Sequence, residues 1–333
     1  MSHLPPSSRR HAQRGLTLVE LLVAITINLV IVIAAVSLYA GTRESQRTVD
    51  QATEANEVGV YALRALGRDV VNAGFYPSVG SEGNVNVVET YKTSAKSLFA
   101  AGSPYLTGIF GCEASALNLT TGVCGTAAAT TDPDELVVGY FTTDAFGDAG
   151  GQRKDCNGND VATATLNTTR VGTGPATKPP AKPLFVANHY RLGAPTTISM
   201  NGQSVTLRNL ECRGNASAGY QSIIAGIDDF QVTYGVYADN TRVPKGYYTA
   251  TGVAALGAVT INGTSIPAWG RVVAVRICVI SKTYGGNARL ADKSGTPRTW
   301  TKCDGSSVAA TDGAIRKTYT QSYGLRNFLN RTY

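Results

Sequence analysis

The chain has 333 residues, enough for one large domain or two small ones with a real core. Only 16% of residues are charged and Gly is abundant at 36, which suggests a loop-rich β protein and argues against an α/β enzyme. The formal net charge is +7, and from Arg271 onward eleven Lys and Arg stand against Asp292, Asp304 and Asp312. Such a basic tail could attract an anionic partner such as DNA, although a solvated surface is the simpler reading of charge alone.

Residues 1–15 are polar and basic, with Arg9, Arg10 and Arg14 and no acidic side chain. From Leu21 to Thr42 there is no charge at all, about the length needed to cross a bilayer core of roughly 30 Å. Thr26, Asn28 and Ser37 interrupt the run and can bond within a helix or between helices. Basic residues before the span predict a cytoplasmic N-terminus, with everything after about Arg43 outside. The run is too long for an ordinary signal peptide, and no small-x-small site comes after it. Glu20 stands at its start, where a carboxylate is costly in hydrocarbon unless neutralised. Cleavage between Gly15 and Leu16 would create an α-amine on Leu16, able to pair with Glu20 of a neighbouring subunit and set the register between helices. Removal of the leader would leave 27 basic and 23 acidic side chains, a net charge of +4.

The segment Arg14-Gly15-Leu16-Thr17-Leu18-Val19-Glu20-Leu21-Leu22-Val23 resembles the prepilin signature of type IV pilins. That resemblance implies cutting after Gly15 by a prepilin peptidase, N-methylation of the new terminus at Leu16, and subunit docking through Glu20. Leu16 stands where Phe is commoner. The span lacks Gly or Pro before Gly41, unlike many major pilins, which points to a minor subunit.

Beyond the span the helix is expected to continue, with Val49, Ala52, Val60, Leu63, Leu66 and Val70 on one face. Gly74 can cap it and Pro77 cannot continue it. A helix from Leu16 to about Asn72 would be on the order of 85 Å long at 1.5 Å per residue. The rest of the chain reads as strands and loops. The strands are 135–143, 184–192, 196–200, 204–208, 229–237, 258–261, 271–281 and 319–326, rich in Val, Ile, Thr and Tyr. Residues 144–182 read as a polar loop, and 283–315 as a surface loop. The expected class is therefore α+β, and the resemblance implies a type IV pilin-like fold. It comprises a leader at 1–15, a transmembrane and amphipathic helix at 16–74, and a β-rich domain at 75–333 outside the cell membrane.

Six cysteines occur, Cys112, Cys124, Cys156, Cys212, Cys278 and Cys303, none in a C-x-x-C and none near a His. A zinc site or thiol nucleophile is therefore poorly supported, and disulfides are favoured in an exported chain. Six Cys allow fifteen pairings. Proximity favours Cys112–Cys124, then Cys278–Cys303, leaving Cys156–Cys212, while buried free thiols stay open as an alternative. No catalytic residue, metal or cofactor is expected. Asp155-Cys156-Asn157-Gly158-Asn159-Asp160 has calcium-like oxygen spacing, but the twelfth position is Leu166 and not Glu. Asp132-Pro133-Asp134-Glu135 reads as a turn leading into a strand. His189 reads as a lone histidine in a strand.

Further segments resemble PilW-type minor pilins: Leu66–Phe75, Gly226–Gly235, Arg271–Ile277 and Leu325–Asn327. The resemblance extends to the J-type minor pseudopilins of type II secretion. It implies a subunit that primes pilus assembly in the bacterial inner membrane, sits near the tip of the fibre and supports twitching motility. Its expected partners are the prepilin peptidase, other minor pilins, the major pilin and a tip adhesin. A competence-type pilin binding DNA through Arg316 and Lys317 is a further alternative.

Overall fold

The computed structural model describes residues 17–75, 84–86, 108–126, 132–142, 154–161, 169–171, 184–200, 203–283 and 295–329. The chain divides into two compact units, residues 1–50 and residues 51–333. Gly15 and Leu16 lie outside the described residues, as does Pro77.

In the first unit everything described from Leu18 is helical and exposed. It begins α1, which runs Leu18–Asn72. The side-chain hydroxyls here turn back on the helix. Thr26 donates to the Val23 carbonyl (2.8 Å), Ser37 to Ala34 (2.9 Å) and Thr42 to Leu38 (2.8 Å). These bonds hide hydroxyls that would otherwise be unpaired in an apolar surrounding.

The second unit starts within α1. The helix buries Ala55, Gly59, Ala62, Leu63, Leu66, Gly67, Asp69 and Val70. This corrects the face expected from apolar spacing. Val49 and Val60 are exposed, because the covered stripe is set by two glycines that spacing of large residues does not count. Tyrosine rings lie where side chains at those glycines would be: a Cβ on Gly59 would come within 2.2 Å of the Tyr319 ring, and one on Gly67 within 2.3 Å of Tyr323. The helix stops as expected. Gly74 takes φ +74, a left-handed conformation that suits glycine, and its N–H donates to the Gly139 carbonyl (3.1 Å).

Two antiparallel sheets make up most of the domain. The first has five strands, β1 (Gly108–Cys112), β2 (Glu135–Thr142), β3 (Leu184–Leu192), β4 (Asn209–Gly214) and β5 (Gln221–Ala225), ordered β5-β4-β3-β2-β1. The second has four, β6 (Ile227–Val236), β7 (Gly246–Tyr248), β8 (Val272–Lys282) and β9 (Arg316–Gly324), ordered β7-β6-β8-β9. A short helix α2 (Ala250–Ala255) comes after β7, and α3 (Arg326–Leu329) after β9. Small ribbons occur at 196–207, 259–266 and 299–309. The surface loop expected over 283–315 thus contains a hairpin, Thr299–Thr301 against Ser307–Ala309.

Both sheets and α1 share one apolar core, including Leu66, Val70, Leu136, Tyr190, Phe230, Val232, Tyr234, Val275 and Ile277. Registers explain the choice. Phe230, Val232 and Tyr234 pair with Val279, Ile277 and Val275, so all six lie on one face of the second sheet. Tyr319 and Tyr323 pair with Val279 and Val275, which puts both rings on that same face, towards α1. Three disulfides join Cys112–Cys124, Cys156–Cys212 and Cys278–Cys303. These are the pairs that proximity favours. Cross-links closing loops of this size typically add ~2–4 kcal/mol each.

Candidate assembly and processing site

Of the functional residues expected from the sequence, Glu20 is described, and it lies in the first turn of α1. Thr17 and Glu20 form a reciprocal cap. The Glu20 N–H faces Thr17 Oγ1 at 3.3 Å, and the Thr17 N–H faces Glu20 Oε2 at 3.4 Å. This is the T-x-x-E capping box, which satisfies otherwise unpaired donors in the first helical turn and places a carboxylate at the positive end of the helix dipole. Glu20 is thus in the first turn of the helix, succeeded by Leu21, Leu22, Val23, Ile25, Ile27 and Leu29, each more than half exposed. Residues 18–40 include no buried apolar side chain, and α1 is long and apolar enough to cross a membrane. Among the described residues the Asn28 amide makes no side-chain hydrogen bond.

The other end of α1 is held by polar contacts that spacing does not reveal. Asp69, 2% exposed, accepts bonds from the Tyr190 hydroxyl (2.5 Å), the Asn188 amide and the Tyr140 hydroxyl (3.4 Å). A buried carboxylate without such donors would cost several kcal/mol. Burial, and next the Asp69 charge, hold the Tyr190 phenol well above its ordinary pKa, so it stays a donor. The Tyr323 hydroxyl donates to the Leu63 carbonyl (2.6 Å) and the Tyr319 hydroxyl to Asn56 Oδ1 (2.9 Å). The Asn327 amide reaches the carbonyls of Val71, Asn72 and Ala73 at 3.4, 3.3 and 3.1 Å, closing the helix C-terminus.

The remaining candidates resolve into structural roles. Asp155 accepts backbone N–H groups of Asn157 and Asn159 (2.9 and 3.0 Å) and the Ser217 hydroxyl (2.7 Å), so the calcium-like segment is a hydrogen-bonded turn. Asp134 accepts the N–H groups of Ala114 (3.0 Å) and Val232 (2.8 Å), and burial nevertheless pushes its carboxyl up to about 7. His189 is not alone, as spacing suggests. It is fully buried, with Nε2 3.0 Å from Glu135 Oε2 and Nδ1 2.7 Å from the Tyr220 hydroxyl. Glu135 also accepts the Leu117 N–H at 2.6 Å. The partners come from positions 54 and 31 residues away in the chain, and no local pattern marks them. Arg316 is committed to Asp228 (2.7 Å) and Asp312 (2.7 Å) with 8% of its side chain exposed, which removes it from any DNA surface.

Comparisons with known proteins bear on both ends of the chain. Residues 10–36 match the family model of the prokaryotic N-terminal methylation motif, and residues 195–327 match that of Type IV pilus-assembly protein W. The second match spans three of the four PilW-like segments read from the sequence, all but Leu66–Phe75. No curated protein matches the chain. Among solved structures, the type IV-like pilin TTHA1219 from Thermus thermophilus aligns at 8% identity over 85% of this chain and 98% of its own, with a TM-score of 0.33. The family matches point to a structural, non-enzymatic protein with a role in pilus assembly. With a methylation motif near its start, a long apolar helix and a β domain that matches the PilW model over residues 195–327, this chain is similar to the PilW-like minor pilins of type IV pili.

Proposed function

We propose that this pilin primes fibre assembly and is incorporated at or near the pilus tip, through helix–helix contacts with other minor pilins and the major pilin. The observation that carries the reading is the exposed apolar stretch of α1 opening on Glu20. Such a surface needs lipid first and other apolar helices afterwards. In this reading the leader is residues 1–15, the prepilin peptidase cuts after Gly15, and Leu16 becomes the methylated N-terminus. Residues 16–74 form the anchoring helix. The domain from 75 to 333 faces the periplasm of a single-pass inner-membrane precursor and later the cell surface, where a tip adhesin could rest on it.

Glu20 is the proposed docking residue. Its cap with Thr17 is long and exposed, so the carboxylate can leave it for the α-amine of a neighbour. Asn28 has the right chemistry for a second contact, an amide in an apolar span that gains a partner only from another helix. Glu20→Ala is expected to be cleaved normally but poorly incorporated. Wild-type amounts of the variant in sheared fibres would refute the docking role. The companion experiment is a clean deletion scored for surface pili and for exoenzyme release. Loss of pili with normal secretion supports the proposal, whereas normal pili with trapped exoenzyme would make the chain a type II secretion pseudopilin.

A further inference from the structure

The second unit contains a cleft of about 610 Å³ that the assembly reading leaves unused. That volume lies within the range of small-molecule sites. Strand β6 alternates across the second sheet. Phe230, Val232 and Tyr234 are buried in the core, and Gln231 and Thr233, on the other face, line the cleft. Cys278, also on that face, is bonded to Cys303 and so ties the 299–309 hairpin beside the cleft, where Trp300 and Lys302 line it. Thr206 and Arg208 complete it from the end of the 196–207 ribbon.

Its chemistry is mixed in a particular way. Asp228 and Lys282 line it too, but they are neutralised in a network with Asp312 and Arg316. Arg208 and Lys302 are half-buried, and neither forms an ion pair in direct contact among the described residues, while the Lys302 charge acts at longer range on Asp229 and Asp304. A half-desolvated cation with no counter-ion in contact favours an anionic ligand group, and the planar guanidinium matches a carboxylate with two parallel bonds. Trp300 supplies an aromatic wall whose ring has the Arg316 guanidinium 5.1 Å from its centre. Gln231 uses its amide N–H groups on the Asp132 carbonyl and on Asp229, both at 3.0 Å, which leaves its own carbonyl to accept a hydroxyl. Five carboxylates against three cations in the lining disfavour a polyanion such as nucleic acid. A single carboxylate on a hydroxyl-rich, flat-faced ligand satisfies these groups together.

We propose that this cleft binds a short acidic saccharide, a uronic-acid-bearing oligosaccharide. Its carboxylate would sit on Arg208 and Lys302, a sugar face on Trp300, and hydroxyls on Asp132, Gln231 and Thr233. The site is independent of the fibre role, so a failure here leaves the deletion phenotype untouched, and the reverse holds too.

The test is isothermal titration of the full chain in detergent micelles with cellobiouronate, which carries one carboxylate, its neutral counterpart cellobiose, and trilysine. Cellobiouronate is expected to saturate one site and cellobiose to bind at least about tenfold more weakly. Arg208→Gln, Lys302→Gln and Trp300→Ala should each weaken cellobiouronate by about tenfold or more at unchanged melting temperature, and Lys154→Gln, outside the cleft, should not. Three substitutions guard against a folding defect in any one. Equal binding of cellobiose, preference for trilysine, no heat with any probe, or cellobiouronate binding that survives Arg208→Gln and Lys302→Gln would each overturn the proposal.

Discussion

One helix does two jobs, and its two halves are built differently. From Leu18 to Tyr39 every large apolar side chain of α1 is more than half exposed and the hydroxyls bond back to the helix. From Ala55 to Val70 the buried face of the helix includes Gly59 and Gly67, where tyrosine rings come close, together with alanines and a buried aspartate. The first half is large and greasy in all directions, as suits a surface meant for lipid or for like helices. The second half is small on one side, as suits close packing on a sheet. Hydrophobicity alone does not mark where a helix meets its own domain; here the absence of side chains does.

The difference predicts that substitutions sort by half. The largest effect is expected from Gly15→Trp, which should abolish processing outright. N-terminal sequencing of the membrane-bound chain checks this, and a mature terminus still at Leu16 would refute the cleavage assignment. The melting temperature of the domain should not change. Gly67→Val should do the reverse. Its side chain collides with the Tyr323 ring, and overpacking of this kind typically costs about 1–3 kcal/mol or more. A clear drop in melting temperature is expected with cleavage intact, and an unchanged one would show that the ring moves aside freely.

A pH effect belongs to the second unit alone. The Asp134 carboxyl is raised from 3.8 to about 7 in the folded chain. A group that binds its proton more tightly when folded makes the fold more stable in acid, so stability should fall as pH rises from about 4 to about 7, by up to roughly 1.4 kcal/mol per unit. Asp312 is shifted the other way, downward, and acts only below about pH 4, so the two windows do not overlap. Denaturant melts at about pH 4.5 and about pH 7 should show this loss, and Asp134→Asn should flatten it. The smallest effect is expected from Tyr323→Phe, which loses the bond to the Leu63 carbonyl and should cost about 1 kcal/mol. Loss of fibre incorporation in that variant without loss of stability would break the division of labour between the halves.

The first half of α1 is readable in sequence because its signals are local. A charge-free run, Gly15, and Glu20 at a fixed distance need no tertiary information. The end of the helix is readable for the same reason, since Gly74 terminates it. Eight strands are legible within a few residues, but four strands of the two main sheets are not, among them β1 (GIFGC) and β4 (NLECRG). Both contain Gly or charge at positions where propensity expects Val or Ile, and both are held by neighbours in the sheet. The Asp69 anchor and the His189–Glu135 contact are invisible because their partners are far away in the chain. A buried carboxylate at the end of an amphipathic helix looks, in sequence, like one more surface charge.

The tyrosines over α1 have a consequence for the order of events in synthesis. Asn56 and Tyr319 are 263 residues apart, Leu63 and Tyr323 260, and Ala73 and Asn327 254. The helix is therefore made first and its cover made last. Through nearly the whole of translation, the glycine stripe has nothing to close on it, while the apolar stretch ahead of it is already complete. Pairings this distant in the chain form slowly. A helix long and apolar enough to cross a membrane is thus complete well before the domain can finish folding on its second half.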